Sequence, residues 1–497
     1  SRRLGTALDV FLATAPTSAD GRYKDTVAAD VLFAVQFLQA TGTSATVGQL
    51  AARGANAERD SAYRRYLDLS RDVEQLLARL SAEGAPNDLD RQIAVLREQQ
   101  QSAAEEIAVQ DPDFFRFGRL QFADAATIVG ALKQKEAIST AYASPYGLVR
   151  IWLDGDGLLA DRTDIAPEVL SDTVATFRQS IVGDGFSVVR ADLAHDLFET
   201  LFGGRKARFD QLDHLVFVPS GALDGLPLPA LMTSAVPKSG LAGDDLLSAD
   251  LPWLIRQADL AVLPSISAVL VLRSDVPPSS APYPFLGIGN PSYRIVDPVL
   301  GPLASLRETE AEVRFMGALL RADSARDLLV GDAATKENLL NLPLDQYRLI
   351  AFATHGFLAQ GLTGAQEPGL ALSGVTLEET LLTSSDIAAM SLNADLVILS
   401  ACSTAGSDGT PGAEGLSGLA SAFFYAGSRG LMVTHWDIPS GPALEVTTGM
   451  ISAHEADPST GWPSALRQSV LSMLDKPKTP LHAHPVSWAG HFLVTAQ

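Results

Sequence analysis

Two residues stand out for chemistry: a histidine and the only cysteine in the chain, each at the end of an apolar run. His355 follows the apolar stretch of "YRLIAFATHGF" (347–357), and Cys402 closes that of "LVILSACSTAG" (396–406), 47 residues further on. An imidazole beside a thiol can take its proton. The thiolate then attacks a carbonyl carbon, and the imidazolium protonates a leaving amine. Small residues surround the thiol (Ala401, Ser403, Thr404, Ala405 and Gly406) and leave room for a polypeptide. Gly356 lets the chain turn tightly and approach a substrate, so its N–H and that of Cys402 are candidate oxyanion-hole donors. Taken singly, a cysteine at a strand end is a small buried hydrophobe and a histidine after a strand is a loop residue. The pairing gives them a chemical meaning.

From residue 285 onward the chain alternates. The patterns predict a strand at 285–291, a helix at 308–320, a strand at 326–331, a helix at 335–342 and the strand into His355. A loop-rich insertion (358–383) and a helix (384–390) precede the strand into Cys402. A helix (415–427), a strand (430–436) and a helix near 440–454 follow. Near-continuous apolar strands between helices imply a parallel sheet covered on both faces. In such sheets ligands bind at the carboxyl ends of the strands, around the point where strand order reverses. Neighbouring strands lie about 4.8 Å apart, so residues just past two adjacent ends can meet.

Upstream the texture differs. Residues 1–124 read as helical, with Tyr66, Leu69, Val73, Leu76 and Leu80 on one stripe. A break at "GAPND" (84–88) is followed by Leu89, Ile93, Leu96, Ala103 and Ile107, which makes a helical hairpin with a packing role. Residues 125–272 read as short strands, including a hairpin in "GLVRIWLDGDG" with Asp154-Gly155 as its turn signal. No His–Cys pair occurs there, so this smaller α/β half is read as catalytically silent. "RSDVPPSSAPYP" (273–284) is the linker to the catalytic subdomain, 285–497.

The formal charge of −21 argues against a nucleic-acid or anionic-membrane surface, which needs clustered Lys and Arg. No run of 18 apolar residues predicts a membrane span. A single cysteine excludes an internal disulfide and a multi-thiolate zinc site, and fits a reducing compartment, read as the cytoplasm. The opening "SRRLGTALDV" lacks Met and a signal-like core, so the chain reads as a fragment. "GIGNPS" (287–292) lacks the third glycine of a dinucleotide loop, and Pro291 breaks the helix that would receive the pyrophosphate. Ser220 reads as a turn residue, and His482 and His484 as a tail packing against Trp488.

Together "FATHGF", "ADLVILSACSTAG", "GAEGLSGLASAFFYAGSRGLMVTHWDI" and "HPVSWAGHFLV" resemble a CHAT domain. These are caspase-like cysteine peptidases often associated with tetratricopeptide repeats and related to caspases, separase and gingipains. "LDHLVFVPSGALDGLPLPAL", "WLIRQADLAVLPSISAVLVLR" and "FLGIGNPSY" extend the likeness over about 125–497. The His–Cys spacing is near the roughly 50 residues of caspases. The resemblance implies a caspase-like α/β fold: a mostly parallel sheet covered by helices, preceded by a pseudo-peptidase-like half and the helical hairpin. It implies His355 as base, Cys402 as nucleophile, the amides of Gly356 and Cys402 as oxyanion donors, and no metal or organic cofactor.

It also implies cleavage of a protein substrate, with an activating protein partner or an upstream repeat domain. Two positions depart from the family pattern: Ser421 replaces a common Arg, and Ser440 replaces a common Asp. In the wider clan the residue two before the nucleophile lines the substrate pocket. Ser400, small and neutral, gives no charge preference there. Asp437 is the nearest candidate for a basic side chain, against a helix N-cap or surface role. The loop 404–414 reads as a gate braced by Glu414. The leading reading is a cysteine endopeptidase in a bacterial signalling or defence pathway. The alternative keeps the fold as a non-catalytic scaffold that binds partners through its helical arm.

Overall fold

The apolar runs become strands of one eleven-stranded sheet in the computed structural model. The structure describes residues 2–39, 122–182, 187–248, 250–274, 278–298, 301–357, 362–365, 368–400 and 418–495, with isolated residues between 65 and 103. In chain order the strands are β1 (Glu136–Ser144), β2 (Gly147–Asp154), β3 (Gly157–Thr163), β4 (His214–Val218), β5 (Asp259–Val262) and β6 (Tyr283–Gly289). β7 (Leu328–Val330), β8 (Tyr347–Ala353), β9 (Leu396–Leu399), β10 (Leu431–Thr434) and β11 (His491–Val494) complete the set. Their order across the sheet is β7-β6-β8-β9-β10-β11-β5-β4-β1-β2-β3.

The five strands from β7 to β10 run parallel, and β11 lies antiparallel against β10. On the far side β5, β4 and β1 are parallel, and β1, β2 and β3 form an antiparallel meander. One residue pair, Val494 with Val262, joins the two parts. The chain steps from β6 outward to β7 and then back across to β8, so strand order reverses between β6 and β8. That is where an open α/β sheet opens a crevice at its carboxyl edge.

Alternation along each strand divides the core between two faces. Leu349, Ala351, Ala353, Ile398 and Met432 share one cluster, and Ile350, Phe352, Val397, Leu399 and Val433 the other. The longer helices are α1 (Arg2–Thr14), α2 (Asp25–Leu38), α3 (Pro167–Ile181), α4 (Ala191–Phe202), α5 (Arg307–Leu319), α6 (Gly418–Ala426), α7 (Ser440–Ala456) and α8 (Trp462–Asp475). Buried residues of α3, α4, α5, α7 and α8 join the first cluster, and those of α1, α2 and α6 the second. Both faces are covered, as the near-continuous apolar strands require.

Several elements differ from the sequence expectation. The insertion after His355 carries a small antiparallel sheet, Gly356–Phe357, Gly369–Ala371 and Leu381–Thr383, whose strands are too short to show a two-residue period. The tail is not only packing, because β11 supplies a sheet strand and α8 precedes it. The linker is shorter than 273–284: Arg273 and Ser274 end a helix, and Tyr283 begins β6. The hairpin after β2 turns on Gly155 and Asp156, since Asp154 already pairs with Gly157. The helical hairpin of 66–107 lies outside the described residues apart from isolated positions.

Around that segment, α2 acts as a clasp. Gln36 exchanges two hydrogen bonds with the backbone of Ala123, at 3.0 and 3.2 Å. Gln39 reaches Thr140 Oγ1 at 2.7 Å and Ser220 Oγ at 3.2 Å. Ser220 Oγ in turn donates to Ala141 O at 2.9 Å, so this serine is occupied in bracing the end of β4.

Candidate active site

β8 ends because Thr354 turns out of the sheet and is fastened to its neighbours. The Thr354 hydroxyl donates to Ala371 O, which leaves its lone pairs to accept from Tyr293 Oη at 2.7 Å. Ala371 N–H donates to His355 O at 2.8 Å. The histidine is thus held by its own carbonyl, one residue past a buried threonine. Gly356 pairs with Leu370 and Phe357 with Gly369. The Ala371-to-His355 bond makes Gly356–Leu370 the non-hydrogen-bonded pair of that ladder, so the Gly356 N–H faces away from the adjacent strand.

The His355 ring is half-buried, with Tyr293 at 5.2 Å and Phe357 at 6.2 Å between centroids. Its Nε2 lies 2.9 Å from Ala304 O. A carbonyl only accepts, so Nε2 carries the hydrogen and Nδ1 keeps its lone pair, the form a general base needs. The Ala304 carbonyl is positioned by the "GIGNPS" segment that fails as a dinucleotide loop. Asn290 adopts a left-handed φ of 46° and accepts from Ser305 Oγ at 3.2 Å, while its N–H donates to Thr309 Oγ1 at 2.8 Å.

β8 and β9 are adjacent and parallel, with Leu349 opposite Leu396 and Phe352 opposite Leu399. Beyond β9, Ser400 is the last described residue of that run. Cys402, the loop 404–414 with Glu414, and the Ser421 side chain lie outside the described residues and side chains.

Ser400 and Asp437 line one cavity of about 60 Å³, at the carboxyl ends of β8, β9 and β10. Thr354, the neighbour of His355, lines it too. Asp437 is exposed and does not cap a helix: the N-cap of α7 is Pro439, and Ser440 is the first residue of that helix. The residue that sequence reasoning missed is Glu312. It comes from α5, is almost fully buried, and accepts from Ser400 Oγ at 3.3 Å. Burial pushes its carboxyl up to about 7, partly opposed by the Ser400 hydrogen bond. The signal was present, because Thr309, Glu312, Val313 and Met316 are buried positions of α5, with Gly317, and follow the i, i+3, i+4, i+7 stripe. An acid on the apolar stripe of a helix marks a buried polar site.

The histidines nearby are neutral. Burial, helped by the Arg178 charge, lowers His435 to about 3, and burial lowers His491 to about 4. Arg178 of α3 donates to His435 O at 2.6 Å, so the region before β4 touches the backbone that leads out of β10. Among the described residues no group of His, Cys, Asp and Glu is arranged to hold a metal ion, and no helix is long and apolar enough to cross a membrane.

Among curated proteins none matches. Among solved structures, the separase–securin complex of Saccharomyces cerevisiae is similar at 10% identity and a TM-score of 0.48. The match covers 99% of this chain and 39% of the other, so the chain spans about two fifths of that relative. The Arg specific cysteine proteinase gingipain R (RGPB) is similar at 11% identity and a TM-score of 0.35, over 66% of this chain and 73% of that one. A complex of Porphyromonas gingivalis RgpB pro- and mature domains is similar at 10% identity and a TM-score of 0.35, over 66% and 75%. The CHAT domain profile matches residues 191–496, from the first residue of α4 to beyond β11. With well over half of its residues in that match, the chain belongs to the CHAT domain family.

Proposed function

We propose that the chain is a cysteine endopeptidase that cleaves a protein substrate with His355 as general base and Cys402 as nucleophile. One observation carries the reading. Paired residues of β8 and β9 are offset by 47 positions, Leu349 with Leu396 through Phe352 with Leu399, and His355 and Cys402 are 47 apart in sequence. The two residues therefore follow adjacent parallel strands at matching distances from the last pair. Nδ1 of His355 takes the thiol proton, and the thiolate adds to the carbonyl carbon of the scissile bond. The N–H groups of Gly356 and Cys402 stabilise the oxyanion. The imidazolium then protonates the leaving amine, and water delivered by the same base hydrolyses the thioester. The Ala304 carbonyl acts as the third group that orients the base.

The substrate is a specific protein, and an activating partner or upstream repeat domain sets the pair in register, in a bacterial signalling or defence pathway in the cytoplasm. The test is active-site labelling of the full chain with an electrophilic peptide ketone, alongside Cys402→Ala and His355→Ala. Labelling should vanish in the first variant and slow by about 10²–10⁴-fold in the second, the usual contribution of a general base. Equal labelling of all three proteins, with and without cell extract as a source of activator, would leave the scaffold reading in its place.

A further inference from the structure

The cavity beside Thr354 and Ser400 is lined by a buried carboxyl that no cation among the described lining residues pairs with. Glu312 is 6% exposed. Its Oε2 accepts from Ser400, and its Oε1 has no hydrogen-bond partner among the described residues. Among the described residues, the other acids that line the cavity are Glu308 and the exposed Asp437, and no Lys or Arg lines it. His491 also lines it, and burial keeps that imidazole neutral. A buried carboxyl without a counter-ion is costly, and an unmade hydrogen bond at Oε1 adds to the cost. A ligand that supplies both a positive charge and N–H donors relieves both.

The remaining walls say what shape that ligand has. Ile398, Met432, Trp436 and Ala443 present apolar surface to the same space. A side chain with a methylene stem and a cationic tip matches an apolar wall that ends at a buried carboxyl. The volume of about 60 Å³ holds roughly four to six water-sized groups at ~10–15 Å³ each. That suits an ammonium with its last methylenes, or a guanidinium, and is too small for a whole aromatic side chain.

We propose that this cavity receives a lysine or arginine side chain of the protein substrate, with Glu312 as its counter-ion and Ser400 holding that carboxylate in place. The proposal rests on the peptidase reading for its use, and it changes what the pocket-lining serine means. Ser400 alone gives no charge preference, but the acid behind it does. Asp437, exposed at the rim, adds long-range attraction rather than the contact.

The test separates the pocket from the peptidase. n-Butylguanidinium and its uncharged isostere n-butylurea are titrated into the full chain, and into Glu312→Gln, by calorimetry. The cation should bind at least about 30-fold tighter than the urea to the wild-type chain, and Glu312→Gln should remove that preference. Equal affinity for the two probes, or undetectable binding of both, overturns the proposal whatever the catalytic result. So does a preference that persists in Glu312→Gln. In parallel, peptides that differ only in the residue before the cut are compared. Better cleavage after Leu than after Lys or Arg overturns the proposal and leaves the peptidase intact. Cation preference without cleavage of any peptide supports the pocket and counts against the peptidase.

Discussion

Replacing Glu312 with Gln should stabilise the protein at alkaline pH and hardly change it at acid pH. Burial raises the folded-state value of this carboxyl to about 7 from 4.5. The folded chain therefore holds on to a proton that the unfolded chain has released. The stabilisation is complete below pH 4.5 and is lost as pH rises towards 7. Integrating that linkage between pH 5 and 8 gives a loss of roughly 2.5 kcal/mol, at 1.36 kcal/mol per unit. Gln keeps the shape, accepts the same Ser400 hydrogen bond and does not titrate. The groups facing Glu312 are Glu308 on its own helix, Asp437 beyond β10 and His491 on β11. They are present in both proteins, so their titration largely cancels in the difference. Thermal unfolding of the two proteins from pH 5 to 8 reads it. At roughly 1–2 °C per kcal/mol for a long chain, the gap between their Tm values should widen by about 3–5 °C in favour of the variant. A gap that stays within 1 °C across that range refutes the argument that desolvation governs this carboxyl.

Two further predictions concern packing and charge elsewhere. Gly490→Ala puts a methyl 2.7 Å from Cε2 of Trp436, whose Nε1 donates to Val486 O at 2.9 Å. The ring must move, so the variant should lose about 1–3 kcal/mol and change its tryptophan fluorescence, both read in one thermal scan. An unchanged Tm would mean that the ring has room to shift. Arg273→Met strips Glu136, which is 3% exposed, of a bidentate partner at 2.6 and 2.7 Å. It should cost about 3–5 kcal/mol, and adding Glu136→Gln should recover much of that loss. A second change that adds to the damage instead would show that the pair is not a charge pair in effect.

How much of this was legible depends on the length of each pattern. "YRLIAFA" and "LVIL" are apolar on both faces, and that alone placed them inside a parallel sheet and put His355 at a carboxyl end. The strands of the insertion, two and three residues long, are too brief to have a period. β11 was hidden because "HFLV" is a four-residue run in a tail that also packs, and only its place between β10 and β5 makes it a strand. Glu312 was missed because α5 carries Arg307, Glu308, Glu310 and Arg314 as well, so one more acid looked like solvent-facing charge. Ser400 was read by its own chemistry, whereas a pocket's charge depends on what stands behind its lining. Asn290 was read as a failed motif, yet its backbone geometry helps to set the carbonyl that fixes the histidine tautomer.

The two glutamine contacts of α2 bear on how this chain can be rebuilt. Gln36 ties itself to Ala123, so the points where residues 40–121 leave and rejoin the fold are already bonded to each other. The described residues on either side of those 82 are therefore neighbouring posts in the fold. A bridge of about ten residues between those posts would close at a cost on the order of 2 kcal/mol below that of a flexible loop of 82. The same posts could carry a different module altogether, which makes this segment the natural point of exchange for whatever the protein is asked to recognise.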